Sequence, residues 1–264
     1  MDFLEFEEIS VSEQHVMPQP HSHDYYELYF LLDGEREFFI ENKMFIVPKN
    51  TLVVVAPFCI HKTEGGPYHR ININVSPALL DRTQNEFLTS ASEGLAIRIS
   101  DEYVDLIRRL LSEGARIQAA NVKSKKDYLL SLAKTVLLFL SVQKSAPLSL
   151  ASSSHGLRSA SPEVLKMIYY INTHYQQKIS LKGLCEVFFM SKVSLCKKFR
   201  DVMNCSVMEY LTSIRISKAK AMLRDTSGSI EEIAFACGFS SANYFGLTFK
   251  REVGLSPMNY RKTR

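Results

Sequence analysis

Three histidines and one glutamate near the start of the chain carry side chains that can ligate a metal ion. His21, His23 and Glu27 follow an H-x-H-x-x-x-E spacing, and His61 stands a few residues after Pro57. Two imidazoles, a carboxylate and a third imidazole suit a divalent transition metal. The same groups can instead line a metal-free pocket, where they hydrogen-bond a small ligand or one another. The sequence leaves both interpretations open.

A strand would place most of these groups on one face, because successive side chains of a strand point to opposite sides. The residues that share this parity are His21, His23, Tyr25, Glu27 and Tyr29. Such a face predicts a polar pocket in the N-terminal part of the chain.

A second polar row, Arg70, Asn72 and Asn74, alternates with apolar residues. If the row faces the interior, it can hold a hydroxylated or anionic ligand such as a sugar; if it faces solvent, it is an exposed polar face. The candidate effector-binding residues are His21, His23, Tyr25, Glu27, His61, Arg70 and Asn72.

The first 100 residues predict β structure. Short segments rich in aromatic and β-branched residues are separated by turn residues. The predicted strands are 25–32, 37–40, 43–47 and 52–55, with a turn at Asp33 and Gly34 between the first two. Several short strands at this spacing predict a small barrel or jelly roll.

Residues 101–144 predict two helices, the first capped by Ser100. The second, about 125–143, carries an apolar stripe of Leu129, Leu132, Ala133, Val136, Leu137 and Leu140, broadened by Leu130, Leu138 and Phe139. The width of the stripe favours a dimer interface; the alternative is packing of the helices on each other and on the barrel.

Residues 145–160 are serine-rich and aperiodic, which is typical of a linker. The predicted domains are therefore 1–144 and 161–264.

Residues 229–261 carry the clearest structural motif. Ser229 and Glu232 form an S-x-x-E capping box, which predicts the start of a helix. The helical pattern breaks at Gly238 and restarts at Ser241. Two short helices joined by a tight turn predict a helix-turn-helix, whose second helix can enter the DNA major groove.

The same pattern occurs about 50 residues earlier. Ser180 precedes Ser229 by 49 residues, and Phe199 precedes Phe249 by 50. The repeat predicts two helix-turn-helix units. A helix over residues 207–224 would join them and present them to successive major-groove segments of one duplex.

Charge and composition agree with this division. Residues 161–264 hold 16 of the 32 Lys and Arg residues but 8 of the 28 Asp and Glu residues, a net charge of +8 against −4 for residues 1–160. A basic C-terminal part is the electrostatic pattern of a nucleic-acid-binding domain. Five cysteines without a C-x-x-C pair favour a reduced cytoplasm over a disulfide framework. The sequence predicts neither a signal peptide nor a membrane span.

The C-terminal part resembles the AraC/XylS family of bacterial transcription regulators over residues 163–263. The residues that carry the resemblance are Arg215, Ile216, Ala219, Ala221, Met222, Leu223, Ile230, Ile233, Ala234, Gly238, Phe239, Ser240, Ser241, Tyr244, Phe245, Phe249, Lys250, Gly254, Ser256, Pro257, Tyr260 and Arg261. Near the N-terminus, the H-x-H-x-x-x-E spacing followed by Gly34 matches the first cupin motif, and His61 stands where the second motif places its histidine. This part looks like the family's cupin-like domain.

The resemblance implies an α+β protein of two domains. The N-terminal domain would be a cupin-like β-barrel with a helical dimerisation pair, and the C-terminal domain all-α with two helix-turn-helix units. The implied function is a cytoplasmic, sequence-specific regulator, often an activator, that is usually dimeric. Its expected partners are double-stranded promoter DNA, a small-molecule effector and RNA polymerase, with no membrane.

In the first unit the resemblance implies base contacts at Val193, Cys196 and Lys197. The basic residues Lys192, Lys198 and Arg200 suit phosphate contacts, and Ser194 lies at the edge of the same outward face. In the second unit the outward face presents Ala242, Asn243, Gly246, Leu247 and Lys250, and Lys250 and Arg251 suit phosphate contacts. Leu247 departs from the family pattern, which favours a longer polar or basic residue there. Base discrimination is therefore expected to depend mainly on the first unit, helped by Asn243. Arg215, in the joining helix, is expected to be a structural ion-pair partner.

The alternative is a metal-dependent cupin enzyme fused to a DNA-binding domain, with His21, His23, Glu27 and His61 as metal ligands. A divalent metal is the one cofactor that this sequence suggests. Because a fold does not imply a function, a sensor domain attached to two DNA-reading units is the preferred interpretation.

Overall fold

The computed structural model of the chain describes residues 3–41, 43–94, 96–142 and 162–263. The predicted linker, 145–160, lies outside these ranges, so the domain limits stay predictions. Within these ranges, the helices are too short or too polar to cross a membrane. The five cysteines all fall in the described ranges and are unpaired.

The N-terminal part is built on antiparallel strands. They are β1 Leu4–Val11, β2 His15–Val16, β3 Tyr26–Ile40, β4 Lys43–Pro48, β5 Thr51–Val55, β6 His61–Gly65, β7 Tyr68–Val75 and β8 Ala96–Arg98. The main sheet has the order β1-β7-β3-β5-β8, while β3 also pairs with β4 and β6, and β6 with β2. The predicted sheet-rich N-terminal domain is confirmed.

The turn predicted at Asp33 and Gly34 is wrong, because β3 continues through both residues. The pairing register between β3 and β7 shifts between Leu31 and Asp33. Gly34 has a φ of 87°, and a Cβ there would lie 2.3 Å from the Pro67 carbonyl oxygen, so the position requires glycine. The first half of β3 pairs with β5, and the second half with β4 and β6. One bent strand therefore belongs to both parts of the sheet.

Both faces of the sheet are buried. Leu28 and Phe30 of β3 and Ile73 of β7 belong to an outer apolar cluster shared with helices. Tyr29 and Leu31 of β3 belong instead to an inner cluster, with side chains of β4 and β5. The alternation along β3 thus separates the outer face from the interior of the domain.

Three helices follow in this part, α1 Arg82–Gly94, α2 Asp101–Ala119 and α3 Lys125–Val142. Helix α1 was not predicted, and the assignment of residues 82–94 to β structure is wrong. The apolar residues with which α1 faces the core are Phe87, Leu88 and Ala91, which is too few to give a clear helical period. Helices α2 and α3 match the two predicted helices, but the predicted cap is wrong: Ser100 occupies the N-cap position of α2 without a side-chain hydrogen bond to the helix backbone.

The apolar stripe of α3 packs mainly on its own domain. Its residues buried in the outer cluster are Leu129, Ala133, Val136, Leu137 and Leu140. Leu138 is the described member of the broadened stripe that stays largely exposed, at 64%. Packing within the chain therefore accounts for most of the stripe, and the dimer stays a prediction.

The C-terminal part is helical, as predicted. Its helices are α4 Pro162–His174, α5 Leu181–Phe188, α6 Lys192–Met203, α7 Val207–Asp225, α8 Ile230–Ala236, α9 Ala242–Val253 and α10 Pro257–Lys262. The serines that precede α5 to α10 each accept a hydrogen bond from the backbone N–H three residues on. A cap of this kind stabilises a helix by about 1 kcal/mol.

Two helix-turn-helix units are formed, by α5 with α6 and by α8 with α9. Both turns contain a residue in the left-handed conformation at the equivalent position. This residue is Phe189 in the first unit, with a φ of 51°, and Gly238 in the second, with a φ of 82°. The units have separate cores, one around Leu195 and Phe199 and the other around Phe245 and Phe249. Helix α7 contributes to both cores and joins the two units.

The sheet and the helical part contact each other directly. Phe39 and Ile60 are buried in the core of the first unit. The Glu41 carbonyl oxygen accepts hydrogen bonds from Asn172 Nδ2 of α4, at 2.9 Å, and from Tyr210 OH of α7, at 3.2 Å. These contacts join the loop before β4 and the segment before β6 to the helices beside them.

Candidate effector site and nucleic-acid interface

The predicted histidine cluster is assembled from separate segments. His61 opens β6 and pairs with His21 through two backbone hydrogen bonds of 2.9 and 3.0 Å. The His61 ring centroid lies 4.2 Å from that of His21 and 4.9 Å from that of His23. One ring nitrogen of each histidine lies within 4.8 Å of the other two. The structure therefore brings together the three histidines that the sequence singled out.

Glu27 of β3 reaches the centre of this cluster. Its Oε2 lies 3.1 Å from Nε2 of His23 and 3.1 Å from Nε2 of His61. Its Oε1 accepts a hydrogen bond of 2.5 Å from Asn72 Nδ2 of β7. His23 is 9% exposed and His61 2%, whereas His21 lies at the exposed rim.

Burial controls the charge of this cluster. It lowers the pKa of His23 below its ordinary value, because the imidazolium is penalised more than the Glu27 carboxylate stabilises it. Burial alone would raise the pKa of the Glu27 carboxyl, but the His23 and His61 imidazoles hold it well below its usual range. Near neutral pH the cluster contains an ionised Glu27 beside a neutral His23.

The polar row of β7 faces the interior of the domain. Asn72 is directly opposite Tyr29 of β3, and such pairs share one face of a sheet. Tyr29 belongs to the inner apolar cluster. The sequence left open whether this row faces the interior or the solvent. The register between β3 and β7 decides for the interior.

The interior row carries buried polar atoms that lack a hydrogen-bond partner. They are Tyr29 OH, Arg70 Nη1, Asn72 Oδ1 and Asn74 Oδ1. The other terminal nitrogen of Arg70, Nη2, lies 2.9 Å from Glu7 Oε2 of β1. An unsatisfied buried polar atom costs about 1–3 kcal/mol. Together these atoms offer donors and acceptors to a polar ligand.

Tyr25, the remaining predicted effector residue, covers the cluster. Its ring stacks on His23 with centroids 4.0 Å apart and planes inclined by 1°. Burial raises the pKa of Tyr25 to about 12. The neutral phenol ring therefore shields one side of His23 from water.

A groove of about 560 Å³ lies between the segment before β3 and the helical part. It is lined by His21 on one side and by Glu209, Lys220 and Arg251 on the other. Lys220 is not among the predicted site residues, because its position in the middle of a long helix carries no local signal. The groove places the rim of the histidine cluster beside α7 and α9.

The outward face of α6 presents the residues predicted to touch DNA. Lys192, Val193, Lys197 and Arg200 are exposed, and Ser194 is half-buried near the capped N-terminus. Cys196 is partly buried against the core of the first unit. Lys198 lies 3.8 Å from Glu163 of α4. The basic groups most free to approach DNA are therefore Lys192, Lys197 and Arg200.

The outward face of α9 is less basic. Asn243, Leu247 and Lys250 are exposed, and Ala242 and Gly246 are half-buried. Arg251 pairs with Glu252 at 2.7 Å and borders the groove beside His21. This arrangement leaves Lys250 as the predicted cationic contact on the outward face of the helix.

Arg215 has a structural role, but within the described part of the chain its partners are main-chain oxygens rather than the carboxylate of the predicted ion pair. Its Nε and Nη2 atoms donate to the carbonyl oxygens of Tyr175 and Gln177, at 2.9 and 2.8 Å. Arg215 thus fixes the loop after α4 against α7, and its partners are main-chain oxygens that residue types do not reveal.

Lys62 forms a contact between the sheet and the helical part that its residue type did not predict. It is 3% exposed, and its Nζ donates to the Val202 carbonyl oxygen in the last turn of α6 at 3.0 Å. The same atom lies 2.8 Å from Glu64 Oε2. Because neighbouring residues of β6 point in opposite directions, His61 faces the cluster while Lys62 faces α6.

Models of known protein families match both parts of the chain. The model of an AraC-like ligand binding domain matches residues 6–125, and that of a helix-turn-helix domain matches residues 184–263. The HTH-type transcriptional activator RhaS of Escherichia fergusonii is 23% identical over 280 residues, covering 100% of this chain and 96% of RhaS. RhaS proteins of Escherichia coli strains are also 23% identical, over 279 residues.

Two solved structures show the extent of the structural similarity. The C-terminal domain of AraT, a response regulator from Geobacillus stearothermophilus, is 35% identical with a TM-score of 0.40, covering 41% of this chain and 89% of that one. ToxT from Vibrio cholerae is 13% identical with a TM-score of 0.38, covering 98% and 97%. The relatives named as transcriptional activators favour regulation over the alternative of a metal-dependent enzyme.

Proposed function

Because the chain belongs to the AraC family of DNA-binding transcription regulators and has an N-terminal ligand-binding domain, we propose that it activates bacterial promoters in response to a small-molecule effector. The main support for the proposal is the exposed basic face of α6. This helix has a capped N-terminus and packs its opposite face in the core of the first unit. The activating direction is supported by the name of the RhaS relatives. The expected setting is the bacterial cytoplasm, with promoter DNA and RNA polymerase as partners.

We assign base reading mainly to α6. Lys197 can donate to a guanine edge and Val193, 78% exposed, can contact a thymine methyl group. Lys192 and Arg200 flank them and suit phosphate oxygens, which contribute affinity without sequence information. In α9, Asn243 can bond an adenine edge, while Lys250 suits a phosphate.

Replacing Lys197 by alanine should therefore change specificity. We expect about tenfold weaker binding to the preferred site, because one lost base contact costs about 1–3 kcal/mol, and little change on unrelated DNA. The preferred site would first be selected from a random duplex library, and affinities then measured by fluorescence anisotropy across a salt series.

Lys192→Ala serves as the matched comparison. It should weaken binding to both DNAs by a similar factor and reduce the slope of log affinity against log salt by about 1. Lys123→Ala, an exposed lysine outside the helical part, should change nothing. An equal loss on both DNAs for Lys197→Ala would contradict base reading by this residue.

The effector is proposed to bind in the interior of the N-terminal domain. The unpartnered atoms of Tyr29, Arg70, Asn72 and Asn74, beside the cluster of His21, His23, Tyr25, Glu27 and His61, suit a ligand rich in hydroxyl groups, such as a sugar. A screen of sugars and small acids would identify it as the compound that raises the melting temperature. The identified compound should also change promoter affinity and reporter expression.

Strand β6 offers a direct connection between effector and DNA. A ligand that moves His61 would also move Lys62, and with it the contact to Val202 at the end of α6.

Paired operator sites would additionally require a dimer. Leu138 is the exposed part of the predicted interface on α3, so Leu138→Asp should lower the dimer fraction in analytical ultracentrifugation.

A further inference from the structure

We propose that the effector of this protein carries a positively charged amino group, as a small amine or an amino sugar does. The inference rests on the proposed effector site and names the chemical class of its ligand. Its basis is two glutamates of β1, Glu5 and Glu7, and two buried amide oxygens of β7 that lie beside them.

Glu5 and Glu7 lie on the same interior face as the polar row. Strand β1 pairs with β7 so that Glu5 is directly opposite Asn74 and Glu7 directly opposite Asn72. Such pairs share one face of a sheet. On its other side, Asn74 is directly opposite Glu27 of β3. The Asn74 amide therefore lies between two strands that each present a carboxylate.

The carboxylates fix the orientation of both amides. Asn74 Nδ2 donates to Glu5 Oε2 at 3.2 Å, and Asn72 Nδ2 donates to Glu27 Oε1 at 2.5 Å. An ionised carboxylate only accepts hydrogen bonds, so the NH₂ end of each amide faces it and the oxygen end points away. Asn72 is 3% exposed and Asn74 6%, and both Oδ1 atoms lack a hydrogen-bond partner among the described residues. These two acceptors call for a ligand that donates.

The charge around these oxygens is negative. Glu7 pairs with Arg70 at 2.9 Å. The hydrogen bond that Glu5 accepts within the described part of the chain comes instead from the neutral Asn74 amide. This end of the interior face therefore attracts a cation, and an anionic ligand would meet the Glu5 carboxylate directly.

The second guanidinium group of the interior does not compensate Glu5. Arg36 is fully buried and donates to Thr63 Oγ1 at 3.3 Å. Its guanidinium carbon lies 4.3 Å from the centroid of the Tyr68 ring. Tyr68 pairs with Val11 at the far end of β1, about 20 Å along the strand from Glu5.

The carboxylates are too far apart to hold one metal ion together. Glu5 and Glu27 belong to the strands on either side of β7, so their backbones are about 10 Å apart. Among the described residues, the side chains close enough to surround one ion are three histidines, and Glu5 and Glu7 are not part of that group. An ammonium group on a carbon skeleton fits better, because it offers three donors and no acceptor. Its donors match the two amide oxygens and the Glu5 carboxylate.

Aromatic rings and an opening to solvent complete the site. Burial raises the pKa of Tyr25, and the nearby charges of Glu27 and Glu5 raise it further. The Phe3 ring centroid lies 4.8 Å from that of Tyr25, and the faces of such rings attract cations. The Glu7 side chain is 42% exposed, so a ligand can reach this face beside β1.

The full-length protein would be titrated with matched compounds, by thermal shift and by isothermal titration calorimetry. The pairs are D-glucosamine with D-glucose, D-galactosamine with D-galactose, and ethanolamine with ethylene glycol. We expect at least one amine to raise the melting temperature and to bind about tenfold more tightly than its uncharged partner, the factor that one charge-assisted hydrogen bond contributes. Equal binding within every pair, or no binding by any of the amines, would overturn the proposal.

Variants then locate the amino group. Glu5→Gln keeps the shape of the side chain and removes its charge, so the fold should persist while the affinity for the amine falls about tenfold. Glu8→Gln is the matched control, because Glu8 is exposed, lies on the opposite face of β1 and pairs with His69 at 2.8 Å. Unchanged affinity in Glu5→Gln, or an equal loss in Glu8→Gln, would refute the assignment.

Sequence-specific DNA binding is measured separately by footprinting, with and without the amine. Amine binding without a footprint would leave this site in place and contradict the proposed regulator. A specific footprint with no binding of any amine would leave the regulator in place and overturn the inference about its ligand.

Discussion

Replacing Gly238 by alanine is expected to destabilise the second helix-turn-helix unit by about 2–5 kcal/mol. A left-handed conformation costs a residue with a Cβ about 1–2 kcal/mol, and an overpacked site adds about 1–3 kcal/mol. Here the added Cβ would lie 2.5 Å from the Tyr175 carbonyl oxygen and 2.9 Å from that of Gln176. These oxygens cannot retreat easily, because Arg215 holds the same loop through Tyr175 and Gln177.

The measurement is urea unfolding of the full chain together with DNA binding. Gly238→Ala should lower the free energy of unfolding and weaken binding, because the turn that orients α9 is disturbed. A decrease in unfolding free energy below about 1 kcal/mol would show that the loop after α4 adapts, and the steric argument would be wrong.

Phe189 provides the matched comparison within the same chain. It occupies the equivalent left-handed position of the first unit, is 95% exposed and thus makes few contacts that substitution would remove. Phe189→Gly should therefore stabilise the protein by about 1 kcal/mol, the cost of holding a residue with a Cβ in this conformation. Opposite signs for the two substitutions would separate conformational strain from steric overlap.

Replacing Lys62 by methionine is expected to cost about 2–3 kcal/mol of folding free energy. Removal of one member of a buried ion pair costs about 3–5 kcal/mol, and the partly exposed Glu64 reduces this. The Val202 carbonyl oxygen also loses its hydrogen bond from Nζ. Since this lysine joins β6 to the end of α6, the variant should also reduce the effect of the effector on promoter affinity.

A double-mutant cycle distinguishes the effect of the unpaired Glu64 carboxylate from the loss of the contact between Lys62 and Val202. Lys62→Met combined with Glu64→Gln removes the uncompensated carboxylate and should recover part of the stability, but not the response to effector. Lys43→Met, an exposed lysine of β4, is the control. Full effector response in a folded Lys62→Met variant would exclude this connection as the route of regulation.

Much of the fold could be predicted from local sequence because its signals are local. Each helix start of the helix-turn-helix units is encoded by one serine, and Ser229 with Glu232 forms the predicted capping box. Helix α1 was missed because its few apolar residues give a weak period. The turn predicted at Asp33 and Gly34 was wrong because glycine serves a bulge as well as a turn, and only pairing with β7 distinguishes them.

The sequence by itself determined the family, the two helix-turn-helix units and the set of histidines with Glu27, since these depend on residue types at short, regular spacings. Only the tertiary structure decided which way the polar row of β7 faces, because facing depends on register with a strand about 45 residues away. It alone brought Nε2 of His23 and Nε2 of His61 to the same oxygen of Glu27. It alone brought Lys62 to Val202, 140 residues further along the chain. The local sequence pattern does not predict a contact between a buried amine and a distant main-chain carbonyl group, because only folding brings the two together.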